Sequence, residues 1–205
     1  SSCGSVSAKA MRRWRASGWP AGSTTINGGG TGFDVALGTS GAFNGGTVSV
    51  TNARNVSVVD TDTLTLGAFS SIAGTVYAAT TVGNLTVSQN IATTDASVNA
   101  ITLNAGKAAA AGTAAGGNIL IAGAPPFSTG TNGRTTLMSG AVSGSTGLGT
   151  LVGSGSGKYR YNSDEATSNF STALGTGTYA IYREQPLLSV TPGTASSLYG
   201  NAVSV

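Results

Sequence analysis

From Ser23 onward, apolar residues alternate with small hydroxyl residues in short runs. Thr47-Val48-Ser49-Val50, Asn55-Val56-Ser57-Val58 and Thr63-Leu64-Thr65-Leu66 each place apolar side chains at i and i+2. Period two is the pattern of a half-buried strand, one face to the core and one to solvent. Val48, Val56 and Leu64 stand eight residues apart, which leaves about four residues for each turn. A second set recurs more widely: Gly83-Asn84-Leu85-Thr86-Val87, Asn99-Ala100-Ile101-Thr102-Leu103, Gly117-Asn118-Ile119-Leu120-Ile121 and, more loosely, Gly133-Arg134-Thr135-Thr136-Leu137. Leu85, Ile101, Ile119 and Thr136 are sixteen, eighteen and seventeen residues apart, a quasi-period that suits the faces of a solenoid coil.

An all-β solenoid follows. Inward Val, Leu and Ile stack rung upon rung, and main-chain hydrogen bonds run between rungs about 4.8 Å apart. Corners call for residues that tolerate left-handed backbone angles, as in Asn27-Gly28, Asn44-Gly45 and Gly83-Asn84. Asn84 over Asn99, or Asn99 over Asn118, is the expected polar ladder. A sheet of independent hairpins explains the same alternation and is the competing architecture.

Lys107-Ala108-Ala109-Ala110-Ala111 is bracketed by Gly106, Gly112, Gly116 and Gly117, and reads as a protruding loop or single turn rather than a helix. Gly144 to Gly157 reads as small and flexible. Aromatics then gather as Tyr159, Tyr161, Phe170, Tyr179 and Tyr182. With Leu174 and Ile181 they are expected to cap the last apolar rung, which a solenoid must cover. The expected division is a basic, irregular segment over 1–22, the β-solenoid over 23–157, a capping segment over 158–186, and the start of a further β module over 187–205.

Composition narrows the function classes. Glycine supplies 32 of 205 residues and charged residues only 8%, against about a quarter in ordinary domains. No apolar run approaches the ~20 residues of a spanning helix, and at 40% hydrophobic the chain is too apolar for disorder. The net charge of +3 is local: Lys9, Arg12, Arg13 and Arg15 carry the excess, and the remaining six basic residues face seven acidic ones. A nucleic-acid partner is therefore not expected, because a basic face along the domain is missing. The cluster with Trp14 and Trp19 reads as a solvated terminus. Cys3 is alone, so no intrachain disulfide forms. Met11 to Trp19 is basic and aromatic where an apolar signal core would stand, so any export signal is expected outside this chain.

The chain resembles the repetitive exoproteins of two-partner secretion, the filamentous-haemagglutinin-like adhesins. The residues that carry the likeness are Gly117-Asn118-Ile119-Leu120-Ile121, Gly140 to Leu148, Tyr159-Arg160-Tyr161-Asn162-Ser163-Asp164-Glu165 and Tyr179 to Pro186. Thr191-Pro192 with Leu198-Tyr199-Gly200 resembles the opening of the MBG/YDG-type modules that follow such β-helices. The resemblance implies a right-handed parallel β-helix, exported across the outer membrane and displayed or released as an elongated fibre, extracellular or on the bacterial surface. It implies attachment to host cells, surfaces or other bacteria, or a homopolymer, and it carries over no functional residue.

Candidate chemistry is sparse. Without histidine there is no Ser-His-Asp or Cys-His catalysis, and the commonest transition-metal ligand is missing. Asp60 and Asp62 are the best carboxylate pair; on a strand they would share one face and suit Ca²⁺ or a glycosidic bond. Calcium needs six to eight oxygens, so the pair reads as a solvated strand edge. Asp164 and Glu165 beside Lys158, Arg160 and Arg183 read as ion pairs ordering the cap. Gly28-Gly29-Gly30-Thr31-Gly32 lacks the lysine and helix of a phosphate loop. Thr61, Thr63 and Thr65 alternate like an ice-binding face, yet one run is too short without stacked copies. Catalytic, cofactor and metal sites are thus all expected to be none, and the chain is expected not to be an enzyme. The expected role is structural or adhesive. A self-assembling extracellular filament and a carbohydrate-active enzyme on the same fold are the rivals.

Overall fold

The computed structural model describes residues 5–7, 22–39, 42–123, 127–191 and 193. In chain order its strands are β1 (Ser5–Ser7), β2 (Ser23–Asn27), β3 (Val35–Leu37), β4 (Thr47–Ala53), β5 (Val56–Asp60), β6 (Leu64–Ile72), β7 (Val76–Thr80), β8 (Leu85–Val87), β9 (Ile91–Thr93) and β10 (Ile101–Asn104). β11 (Ile119–Ile121), β12 (Phe127–Ser128) and β13 (Arg134–Ser139) follow, then the helix α1 (Leu148–Val152), β14 (Tyr159–Arg160) and β15 (Gly177–Tyr182). Sheet A runs β1-β2-β4-β6-β8-β11, with β9 against β6 and β12 against β9; sheet B runs β3-β5-β7-β10-β13-β15-β14.

All ladders among the described residues are parallel. The chain passes from one sheet to the other as it winds, which makes a parallel β-helix and rules out the hairpin architecture. The core lies between the sheets. On the sheet-B side one inward row is Leu37, Val58, Ala78, Leu103, Leu137 and Ala180, register partners in succession and all buried. On the sheet-A side Ile26, Val50, Phe69 and Ile91 form the equivalent row. Each fully buried Val, Leu or Ile contributes about 1.5–3 kcal/mol relative to exposure, repeated on every rung.

The apparent periods are half-coils. Leu85 pairs with Ile119 in sheet A, while Ile101 pairs with Thr135 in sheet B; the sixteen-to-eighteen-residue spacing steps between sheets. The eight-residue spacing does likewise, since Val48, Val56 and Leu64 fall on β4, β5 and β6. Asn99 therefore sits half a coil from Asn84 and Asn118, and the expected ladder through it does not form. Instead Asn84 Oδ1 accepts the Asn118 amide at 2.9 Å, and Asn118 Oδ1 accepts the Ala141 amide at 2.8 Å. A second corner is built the same way: Asp34 accepts from Asn55 N at 3.1 Å, and Asn55 Oδ1 accepts from Thr75 N at 2.9 Å.

The glycine corners fall where expected but for two reasons. Gly83 has φ of 84°, the left-handed region. Gly28 is needed for room: a Cβ there would lie 2.7 Å from Asn52 O and 2.8 Å from Ala53 Cβ on the next coil.

Gly144–Gly157, expected to be flexible, contains α1. Its Leu148 and Val152 are buried, one turn apart on the same helix face. The preceding Thr146 extends sheet A by a parallel bridge to Leu120, so α1 closes the sheet-A end of the core. Sheet B closes differently, because β14 lies outermost and the later β15 inserts between it and β13. Tyr182, on the inward row beyond Ser139, stacks with Tyr159 at 6.4 Å and with Tyr161 at 5.6 Å between ring centroids. Tyr159, Tyr161 and Tyr182 thus cap the stack. Tyr179 and Ile181 instead lie on the outward rows of β15, and Phe170 and Leu174 line the outer face of sheet B, so only part of the expected aromatic set covers the last rung. Residues 161–176 do something else: they fold back along the outer face of sheet B. The Lys107–Ala111 stretch forms no helix and is docked rather than free, with Ala111 N donating to Asp164 Oδ2 at 2.7 Å and Gly112 N to Arg183 O at 2.8 Å.

Candidate functional site

The outer face of sheet B carries side chains at the positions that alternate with the core rows. Tyr77, Thr102, Thr136 and Tyr179 are successive register partners and form one outward row along the stack. Asn104, Met138 and Ile181 form the next. Residues 161–176 make a strap across these rows.

Hydrogen bonds hold the strap down. Glu165 Oε2 accepts from the Tyr77 hydroxyl at 3.0 Å and from Asn104 Nδ2 at 2.9 Å. Buried Ser163 accepts the Asn169 amide through Oγ at 2.9 Å. Asp164 accepts the amides of Ala111, Ala166 and Thr167 at 2.7, 2.8 and 2.6 Å. Toward the other end Arg134 Nη1 donates to Leu174 O at 3.3 Å, and Gly175 N donates to the Tyr179 hydroxyl at 2.9 Å. Between these ties the strap stands off the sheet, and a groove of about 540 Å³ opens over the rungs of β7, β10, β13 and β15. Thr102 and Thr136 lie on its floor with Met138 and Ile181; Arg134, Glu165, Ser168, Phe170 and Leu174 are among its walls.

The electrostatics follow from these ties. Burial pushes the Tyr77 hydroxyl well above the ordinary tyrosine value, and the Glu165 carboxylate adds to the shift. At Asp164 burial favours the neutral acid, but the three amides outweigh it and hold the carboxyl below its usual range. Arg183 is almost fully buried. Burial lowers its pKa against the opposing pull of Asp164, and its Nη2 donates to Ala115 O at 3.1 Å and Gly117 O at 2.8 Å. The expected ion pairing of this region is absent among the described residues, where Arg54–Asp34 is the ion pair that forms. Cations here bind carbonyls and ring faces instead: Arg160 donates to Gly157 O and Tyr159 O and lies 5.4 Å from the Phe170 ring centre.

Asp60 is no solvated edge. It ends β5 on the inward row beside Thr80, is fully buried, and accepts Gly45 N at 2.8 Å and Asp62 N at 3.0 Å. Burial raises its pKa in spite of those two donors. Asp62 lies in the turn, off the strand, and accepts from Asn44 Nδ2 at 2.7 Å. The pair is a corner strut. The Gly28–Gly32 stretch leads into β3, not a helix, and the Gly29 amide is taken by Asn27 Oδ1 at 2.9 Å.

Of Thr61, Thr63 and Thr65, only Thr65 lies on a strand. Stacked copies do exist, but across coils: Ser23, Thr47, Thr65 and Thr86 are successive partners in sheet A. That outer face bears no charged side chain on β2, β4, β6, β8, β9, β11 or β12. The groove residues Tyr77, Arg134 and Thr136 escaped the sequence reading. Tyr77 was the available signal, a large aromatic at an outward position amid small neighbours.

Among the described residues no group of three or more His, Cys, Asp or Glu side chains converges as a metal site, and no helix is long and apolar enough to cross a membrane. Cys3, the basic cluster with Trp14 and Trp19, and Pro192 with 194–205 lie outside the described residues. Comparison with protein-family models, with curated proteins and with solved structures finds no match to this chain.

Proposed function

We propose that this chain is a structural and adhesive segment of a secreted or surface-displayed bacterial exoprotein, with attachment rather than catalysis as its work. One observation carries the reading: each of the seven carboxylates accepts at least one hydrogen bond that braces the chain, and no two of them are left free together. Asp34 binds Arg54 and Asn55, Asp60 and Asp62 brace one corner, and Asp95 accepts the Ser97 amide. Asp164 and Glu165 anchor the strap, and Glu184 accepts the Val142 amide. A hydrolase or lyase on this fold needs carboxylates held toward a substrate, at separations set by the reaction. The uncharged hydroxyl rows of sheet A supply instead a contact face without charged side chains on its strands, and the absence of charge there also supports lateral association into filaments.

The test is attachment of the whole protein to epithelial cells and to polystyrene and silica beads. The expected result is retention above an albumin control, abolished by Thr47→Lys with Thr65→Lys and unaffected by Ser154→Lys. Retention equal to albumin sinks the proposal. Regular filaments in electron micrographs, lost with the same two lysines, replace it with the filament reading.

A further inference from the structure

We propose that the groove between the strap and sheet B binds a neutral oligosaccharide. The proposal goes beyond the adhesive reading, uses the other sheet, and survives that reading's failure.

Size comes first. About 540 Å³ falls within the ~300–1,000 Å³ range of small-ligand sites. The groove draws on four successive strands of sheet B, so it runs along the stack for about three rung spacings, or roughly 14 Å. That shape suits a short linear chain better than a single compact molecule.

Chemistry then selects among linear chains. The lining holds two carboxylates, Asp164 and Glu165, and one cation, Arg134, with Arg160 behind Phe170, so no basic surplus favours nucleic acids or acidic polymers. An extended peptide that binds by strand addition needs a free sheet edge, whereas β7, β10, β13 and β15 are each paired on both sides. An acyl chain calls for a continuous apolar lining, yet the floor is interrupted by Thr102 and Thr136 on adjacent rungs. What remains is a molecule with apolar patches and hydroxyls on the same scale. A neutral sugar chain presents C–H faces to Phe170, Met138 and Ile181. Its hydroxyls meet the Thr102, Thr136 and Ser168 hydroxyls and the Asn99 amide. Charged Glu165 and Arg134 provide the stronger hydrogen bonds.

The strap is the second half of the site. Glu165 is held by Tyr77 and Asn104 through Oε2, which leaves Oε1 to accept from a ligand hydroxyl. Preorganisation of this kind reduces the ordering cost of binding.

The experiment is calorimetric titration of the full chain with cellotetraose, xylotetraose, mannotetraose, maltotetraose and chitotetraose, with tetragalacturonate as the anionic comparator. At least one neutral tetramer is expected to bind saturably. Thr102→Val with Thr136→Val should weaken it by about tenfold, as expected for two lost hydrogen bonds, and the Thr136 change also frees the Arg134 Nε that donates to it at 3.2 Å. Amide shift mapping on the unmodified protein should place the perturbed residues at Tyr77, Thr102, Thr136 and 165–170, which keeps the test sound even if the double variant folds poorly. Binding of none of the neutral tetramers, preference for tetragalacturonate, or shifts confined to sheet A each overturn the proposal. The bead and cell assay above is unaffected by the valine pair, so the two readings fail separately.

Discussion

Replacing Leu103 by alanine tests the inward and outward assignment that the fold rests on. Leu103 is fully buried and sits in its row between Ala78 on one rung and Leu137 on the next. Ala78 is too small to swing into the vacated space, and Leu137 is held by its own ladder. The site should collapse poorly, so the loss should fall in the upper part of the ~2–5 kcal/mol range for buried Leu→Ala changes. Thr102, one residue earlier on β10, points the other way, and Thr102→Ala should cost within about 0.5 kcal/mol. Urea denaturation followed by circular dichroism reads both variants, and equal slopes with displaced midpoints identify a pure change in stability. Comparable losses, or a larger one for Thr102→Ala, would refute the register and with it the two-sheet core.

Three further outcomes follow from titratable groups and from the strap. Asp60 has a folded pKa above its ordinary 3.8, chiefly through burial, so its contribution is fully present below that value and declines as pH rises through the raised pKa. Wild type should therefore lose ground to Asp60→Asn as pH rises above 3.8, and a gap between their urea midpoints that stays constant with pH contradicts this. Tyr182, pushed up to about 12 by burial and then by Tyr159, Tyr161 and Glu184, stabilises the fold below the ordinary 10.0 and ceases to do so as pH climbs through its folded value. In alkaline absorbance titration, Tyr182→Phe should delete a late phenolate step, and loss of an ordinary one would show that the ring is exposed. Tyr77→Phe removes one of the two donors to Glu165, so the Ser163 and Asn169 amides should exchange faster with solvent while those of β10 stay protected; unchanged exchange would mean that the strap is held by other contacts.

Strands and corners were legible in the sequence because their signals are local. Alternation at Thr47–Val50 or Leu64–Leu66 needs no knowledge of distant residues, and glycine marks a corner whether it supplies a positive φ, as Gly83 does, or room, as Gly28 does. Register was not legible. Partners lie eighteen residues apart at Thr47 and Thr65, but thirty-four apart at Leu85 and Ile119, because the 105–117 insertion lengthens one coil. A half-coil step therefore passed for a repeat, and Asn99 was put on the wrong side. Asp60 was misplaced because a carboxylate at the end of an alternating run looks solvated until Gly45, fifteen residues earlier, delivers its amide. α1 offered only Leu148, Leu151 and Val152 in a single short turn bracketed by glycines, too brief a pattern to separate from a loop. The groove depends on contacts such as Tyr77 to Glu165, eighty-eight residues apart, which no local pattern encodes.

The strap also changes how the rod bears load. In a bare stack pulled along its axis, each rung is joined to the next by one ladder per sheet, and the joints act in series, so the end rung peels first. From β2 to β5 the described stack adds only ties between neighbouring coils, such as Arg54 to Asp34, which leave the joints in series. Beyond β7 it is braced, since one segment is fastened at Tyr77 and Asn104 near one end and at Arg134 and Tyr179 near the other. Rungs spanned by that brace share tension in parallel and release as a block. The C-terminal part is a stiff shank, and the N-terminal coils are the portion that yields first.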